Sequence, residues 1–348
     1  MSASKVLIVD DSITMRALFT SALERSKNLV VVGAASDAAM AFQMVRDLKP
    51  DVITLDIEMP GKNGIEFLRE LMASTPMPVV MLSTLTQKGA DVTLQAIEIG
   101  AVDCFPKPQK ATPDEFEKIS AKLCALVATA AKTNVNNRRK TGSAPVKVAV
   151  DYHWDGSVIA IAAGMGGVDA LGQLLAGFPA NCPPTIVVMP MEEGLSAPLI
   201  AKLDATIAPA VRAAVNMTPI EPGHVYIASD PGRHVAIDRW PEGRIRTVDR
   251  DPVNGQRPSA DLLFSTVAKT IGAKSDCVIL SGGGQDGAGG MAMLRQAGAR
   301  TFCQTADTAL IHEMATAAIA RGVVQHQLAP AEMAGALLGV ARSQAAAA

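Results

Sequence analysis

The chain has 348 residues, 49% of them apolar but only 3% aromatic, with 32 basic and 34 acidic side chains and a formal net charge of −2. At about 150 residues per domain this length suits two domains, with aliphatic, alanine-rich cores. The charge balance argues against a general nucleic-acid binder, no apolar run approaches the ~18 residues of a membrane-spanning helix, and the opening MSASKVLIVDDS lacks a signal peptide's basic start and apolar stretch.

Five short aliphatic runs come first: VLIVD (6–10), LVVVGAA (29–35), DVITLD (51–56), PVVMLS (78–83) and AVDCF (101–105). Each is rich in β-branched residues and apolar on both faces, the pattern of strands buried in a parallel sheet. Between them apolar residues recur at helical spacing, as in Ile65, Leu68, Leu71 and Met72. The alternation predicts a doubly wound α/β domain over 1–128 with a five-stranded parallel sheet.

Residues 129–157 read as a linker, with Asn-Asn, Arg-Arg-Lys, Gly-Ser and a Pro. Its main part, 131–157, is net +3, between segments of net −3 (1–130) and −2 (158–348).

A second α/β domain is expected over 158–342. Its strand-like runs are VIAIAA (158–163), TIVVMP (185–190), HVYIAS (224–229), HVAID (234–238), CVILSG (277–282) and TFCQT (301–305). Helical patterns cover 168–178, 196–207, 259–272, 287–298 and 308–321, and the closing alanines read as a frayed end. The five cysteines are an odd number without a Cys-x-x-Cys pair, which suits unpaired thiols in a reducing cytoplasm.

A parallel sheet gathers its ligands at the carboxyl ends of its strands. In the first domain those ends carry Asp10 and Asp11, then Asp56, then Ser83 and Thr84, then Lys107 before Pro108. Clustered carboxylates call for a cation, and oxygen donors suit Mg²⁺. A carboxylate can also act as a nucleophile toward phosphorus, with Ser83 and Lys107 placed to bind phosphoryl oxygens.

These residues, in VDDS, LDIEMPGKNG, VVMLST and the Lys-Pro pair, resemble the receiver domain of bacterial response regulators. The resemblance implies that Asp56 accepts phosphate from a histidine kinase, and that Asp10, Asp11, Asp56 and the Glu58 backbone carbonyl hold Mg²⁺. The family often has an inward-turning aromatic residue three positions before the lysine, where this chain has Cys104.

In the second domain EPGHVYIAS (221–229), GRHVAI (232–237), RPSADLLFSTVA (257–268), ILSGGGQDGAGGM (279–291) and LRQAGARTFCQ (294–304) resemble the catalytic domain of chemotaxis receptor methylesterases. That family hydrolyses esters with Ser, His and Asp. Its serine falls at Gly164 here and its histidine at Pro190, while Asp286 stands at the aspartate position. Glycine offers no nucleophile and proline no proton acceptor, and losing either role alone costs about a million-fold in turnover. The resemblance therefore implies a phosphorylation-controlled chemotaxis regulator whose second domain acts by binding a partner such as a chemoreceptor, or as a phosphate sink. The alternative is an active methylesterase or glutamine deamidase with a rearranged site, for which Ser229, Ser259, Ser281, His234 and His312 are the candidates. A third possibility is a ligand sensor using the vacated pocket. The Gly164–Gly167 turn is similar to a nucleotide-binding turn, but Asp169 stands where that pattern needs glycine.

Overall fold

The aliphatic runs of the first part become strands because their side chains are buried on both faces: Val6–Val9, Val52–Leu55 and Val79–Leu82 are fully inaccessible. The computed structural model describes residues 3–83, 87–108, 112–133, 135, 152–192 and 194–339. Thr84, most of the linker and the closing alanines lie outside the described residues. The chain divides into two compact units, residues 1–136 and 137–348.

In the first unit β1 (Ser4–Val9), β2 (Leu29–Ala35), β3 (Val52–Asp56), β4 (Val79–Ser83) and β5 (Asp103–Pro106) make one parallel sheet in the order β2-β1-β3-β4-β5. The connecting helices are α1 (Ile13–Leu23), α2 (Ala38–Leu48), α3 (Gly64–Ser74), α4 (Gln87–Ile99) and α5 (Pro113–Ala130). Side chains set their starts: Ser12, Asp37, Asn63 and Thr112 each accept a backbone N–H of the first turn, and Asn63 and Glu66 form a reciprocal capping box. Strand register sets the site. Val9 lies beside Leu55, so the next residues, Asp10 and Asp56, emerge side by side. Ser83 lies beside Pro106, so Lys107 follows at the same edge.

The second unit is built on seven parallel strands in the order β14-β13-β12-β6-β7-β9-β8. They are β6 (Val158–Ala162), β7 (Thr185–Val188), β8 (Ala210–Ala213), β9 (His224–Ala228), β12 (Ser275–Ile279), β13 (Arg300–Gln304) and β14 (His326–Leu328). The run at 234–238 is not in this sheet: β10 (His234–Ile237) pairs antiparallel with β11 (Ile245–Val248). The helices are α6 (Gly167–Leu175), α7 (Ser196–Thr206), α8 (Ala260–Thr270), α9 (Ala288–Gln296), α10 (Glu313–Ala320) and α11 (Pro330–Leu337). The core joins sheet residues such as Ala160, Ile186 and Ile279 to Leu263, Phe264, Val267 and Met291 of α8 and α9.

Two expectations need correction. The helix expected from residue 308 starts only at Glu313. Residues 310 and 311 are buried, and Ile311 bonds outward: its N–H donates to Ser281 Oγ and its carbonyl accepts the Gly282 N–H. The short elements β8, β11, β14 and α11 are additions to the elements that the sequence pattern predicts. No helix among the described residues is long and apolar enough to cross a membrane.

Candidate functional site

Asp10, Asp11 and Asp56 form the single cluster of potential metal ligands among the described residues, with one carboxylate oxygen from each within 4.8 Å of the others. Asp10 and Asp56 are buried and Asp11 is exposed. The Lys107 ammonium bridges the buried pair, 2.8 Å from Asp10 Oδ2 and 2.7 Å from Asp56 Oδ2. Asp10 Oδ1 accepts the Ser12 N–H at 2.9 Å, and Asp56 Oδ1 accepts the Glu58 N–H at 3.2 Å. Burial pushes the Asp56 carboxyl above its ordinary range. Lys107 opposes that shift, and the charge of Asp10 adds to it.

Local sequence explains the turn that follows Asp56. Gly64 donates its N–H to the Ile57 carbonyl at 2.9 Å. A Cβ at Gly64 would collide with the Asp56 carbonyl oxygen, so only glycine lets α3 begin this close to the acid. Ser83 is buried at the end of β4, and its carbonyl accepts the Lys107 N–H at 2.8 Å. The structure thus brings Asp10, Asp11, Asp56, Ser83 and Lys107 to one edge of the sheet.

Cys104 is buried in β5 with Sγ 3.9 Å from the Thr93 carbonyl of α4, and burial holds its thiol well above the usual range. Among the described residues the neighbouring buried Thr93 hydroxyl has no hydrogen-bond partner beyond its weak interaction with the Cys104 thiol. All five cysteines are free thiols.

In the second unit Ala162 lies between Val188 and Ile279 of the adjacent strands. Gly164, Pro190 and the turn carrying Asp286 therefore follow the carboxyl ends of the three neighbouring strands β6, β7 and β12. Gly164 donates its N–H to the Ser281 carbonyl at 2.8 Å. A Cβ there would lie 3.1 Å from Gly282 Cα and 3.7 Å from Met314 Sδ. Asp286 is buried, and its carboxylate accepts the Ser259 hydroxyl (2.7 Å), the Ala260 N–H (2.7 Å) and the Asp261 N–H (3.1 Å). Burial raises its pKa against these bonds.

The serines and histidines proposed for a relocated site bond elsewhere. Ser281 Oγ donates to the Met165 carbonyl and accepts the Ile311 N–H, each at 3.0 Å. Ser229 Oγ meets Ser196 Oγ at 2.6 Å. His234 Nδ1 accepts the Ser259 N–H at 3.1 Å, which leaves Nε2–H to donate to the Asp251 carbonyl at 3.1 Å. His312 Nε2 donates to the Gln304 carbonyl at 2.8 Å. These five residues form no serine hydroxyl to imidazole pair.

Sequence reasoning missed Arg16. Its Nη1 donates to the backbone carbonyls of Asp10 (2.8 Å) and Asp11 (2.9 Å). The available signal was a cation in the first turn of α1, where the helix dipole disfavours positive charge.

Comparison with known proteins assigns both units. Residues 6–118 match the response regulator receiver domain family and residues 159–337 match the CheB methylesterase family. The chain is 42% identical over 347 residues, 99% of its length and all of the relative's, to a protein-glutamate methylesterase/protein-glutamine glutaminase 1 of Caulobacter vibrioides. It is 41% identical to a protein-glutamate methylesterase/protein-glutamine glutaminase of Agrobacterium fabrum, over 94% of each chain. The crystal structure of the Thermotoga maritima CheB methylesterase catalytic domain superposes with a TM-score of 0.52 at 25% identity, covering 54% of this chain and all of that one. Both units match in the same order and the relatives align almost end to end, so the chain belongs to the CheB methylesterase family, with a response-regulator receiver domain preceding the methylesterase-like domain.

Proposed function

We propose that this chain is a phosphorylation-controlled chemotaxis regulator of the cytoplasm, in which a receiver (1–128) acts through a linker (129–157) on a methylesterase-like domain (158–342) that works by binding rather than by hydrolysis. The observation that carries the receiver assignment is Lys107 bridging two buried carboxylates beside a third. One ammonium against three carboxylates leaves an excess of hard oxygen donors, which fits a divalent cation such as Mg²⁺. Asp10, Asp11, Asp56 and the Glu58 carbonyl would hold it, and when bound it offsets negative charge on an incoming phosphoryl group.

The chain's own groups do the rest. An Asp56 carboxylate oxygen attacks the phosphorus of a phosphohistidine on a kinase; the new O–P bond forms as the N–P bond breaks, and the imidazole takes up a proton as it leaves. Lys107 then shifts its charge-assisted hydrogen bonds to the phosphoryl oxygens, and Ser83 donates its hydroxyl.

For the second domain, Gly164 and Pro190 stand where a hydrolase of this family places nucleophile and base, and neither side chain can serve. The chemoreceptor or another chemotaxis protein is the proposed partner. The second reading, an active methylesterase or glutaminase with a rearranged site, draws on the names of the relatives at about 40% identity. Methyl-ester hydrolysis on methylated chemoreceptor separates the two, using full-length protein with acetyl phosphate and Mg²⁺ and an active family member as control. Background release together with receptor binding supports the binding reading, and release abolished by Ser281→Ala overturns it. Background release without receptor binding leaves the phosphate sink, in which Asp56 drains a shared kinase.

A further inference from the structure

Arg16 bonds both backbone carbonyls of the acid pair, and it does so with a single nitrogen. It sits one turn into α1, where its own N–H donates to the Ser12 carbonyl at 3.0 Å, and its side chain reaches back past the helix start. That end of a helix repels cations, so the placement needs a compensating partner, and the two carbonyls supply it. Asp10 is also fixed through both carboxylate oxygens, by Ser12 and Lys107. Asp11 is exposed, and its carbonyl bond to Arg16 ties it to the rest of the turn.

We infer that Arg16 is a positioning residue for the cation site: by clamping the carbonyls of Asp10 and Asp11 it fixes where the Asp11 carboxylate is presented, and so sets divalent-cation affinity without touching the phosphoryl group. This rests on the reading of the first unit as a cation-dependent phosphoacceptor. Two effects oppose each other when Arg16 is removed. Loss of a positive charge near the site favours the cation, whereas loss of the clamp frees Asp11. The clamp dominates in this proposal, because residues that orient metal ligands typically contribute 10–100-fold in affinity.

The test uses full-length protein, with Mg²⁺ affinity measured by calorimetry and the Mg²⁺ dependence of acetyl phosphate turnover measured separately. Arg16→Met, which keeps the length and removes the donors, should weaken Mg²⁺ binding about tenfold and raise the half-saturating Mg²⁺ concentration in parallel. Its rate at saturating Mg²⁺ should stay within about twofold of wild type. Arg16→Lys should recover most of the affinity, since one nitrogen makes both bonds and an ammonium has three donors. Unchanged or tighter Mg²⁺ binding in Arg16→Met overturns the proposal, as does a lost maximal rate with intact affinity. If Arg16→Met lowers the thermal unfolding temperature of the first unit, the Mg²⁺ affinities of Arg16→Met and Arg16→Lys, compared at a temperature where both are folded, decide on the same criteria. A wild-type protein that takes up neither Mg²⁺ nor phosphate would instead defeat the phosphoacceptor reading itself.

Discussion

Asp261 and Asp286 stabilise the starts of each other's helices. Asp286, two residues before α9, accepts the N–H groups of Ala260 and Asp261 at the start of α8. Asp261, in the first turn of α8, accepts the Gly290 N–H at the start of α9 at 2.6 Å. The two helices pack over the same core, so each carboxylate fixes one helix against the other. Asp286 thus has a structural task independent of any histidine. Asp286→Ala should destabilise the second unit by about 3 kcal/mol, combining a lost cap with buried donors left unpaired. Asp261→Ala should cost about 1 kcal/mol. Urea unfolding followed by Trp154 and Trp240 fluorescence measures both, and equal small losses would contradict the asymmetry.

Lys107 is the compensating charge for two buried carboxylates, and removing one partner of a buried pair leaves uncompensated charge behind. Lys107→Met should lower the stability of the first unit by about 3 kcal/mol in metal-free buffer. Millimolar Mg²⁺ should return much of that loss, because a cation bound by Asp10, Asp11 and Asp56 replaces the missing charge. Thermal melts with and without Mg²⁺ read the difference, and a loss insensitive to Mg²⁺ would show that the lysine stem, not its charge, matters.

Asp56 gives a pH signature. Its folded-state pKa is raised, chiefly by burial, so the folded state holds this proton more tightly than the unfolded chain. By linkage, the stability contributed by the group is greatest below the ordinary carboxylate pKa and is lost as pH rises through the folded value. Asp56→Asn lacks this titration. Without Mg²⁺ the variant should therefore melt above wild type at neutral pH, with the gap closing as pH falls toward 4, and it should accept no phosphate from acetyl phosphate. A gap that widens on acidification would reverse the sign assigned to Asp56.

Among the described residues the Thr93 hydroxyl, buried in α4, has no partner beyond its weak interaction with the Cys104 thiol, and a poorly paired buried hydroxyl is costly. Thr93→Val keeps the shape and removes the polar atom, and should stabilise the first unit by about 1 kcal/mol. Destabilisation would mean that the hydroxyl is bonded in solution.

The first sheet was legible because β1 to β4 are mainly aliphatic runs, and because β1, β3, β4 and β5 end in, or are followed by, a chemically distinctive residue. Asp10, Asp56, Ser83 and Lys107 could be placed together from strand ends alone. The elements that escaped lack that contrast. Strand β8, Ala210–Ala213, exposes Arg212 and Ala213, β14 exposes His326 and Gln327, and α11 is made largely of Pro, Ala and Gly. Edge strands of three or four residues carry no periodicity to read. The true start of α10 escaped for another reason: the bonds of Ile311 to Ser281 and Gly282 are long-range, and no local pattern encodes them. Arg16 escaped because its task is done on backbone carbonyls, which sequence does not display.

The second unit offers a gain-of-function test. Its sheet still places positions 164 and 190 beyond adjacent strands, with Asp286 beyond the strand on the far side of β6. A carboxylate has about four lone-pair sites, and Asp286 uses three, on Ser259, Ala260 and Asp261. One remains for an imidazole N–H. A serine at 164 needs only a small local shift, since its Cβ would sit 3.1 Å from Gly282 Cα, and the backbone there is not in the left-handed region. On the proposed reading, Gly164→Ser supplies a nucleophile without a base, and Pro190→His a base without a nucleophile. Gly164→Ser and Pro190→His should therefore each leave methyl-ester hydrolysis at background, whereas the double variant should rise by about a hundredfold, the lower end of what a positioned general base contributes. The pairing is measured as non-additivity across the four proteins. A wild-type rate already equal to that of the double variant would mean that hydrolysis proceeds through other residues, and that positions 164 and 190 are not where this chain's chemistry resides.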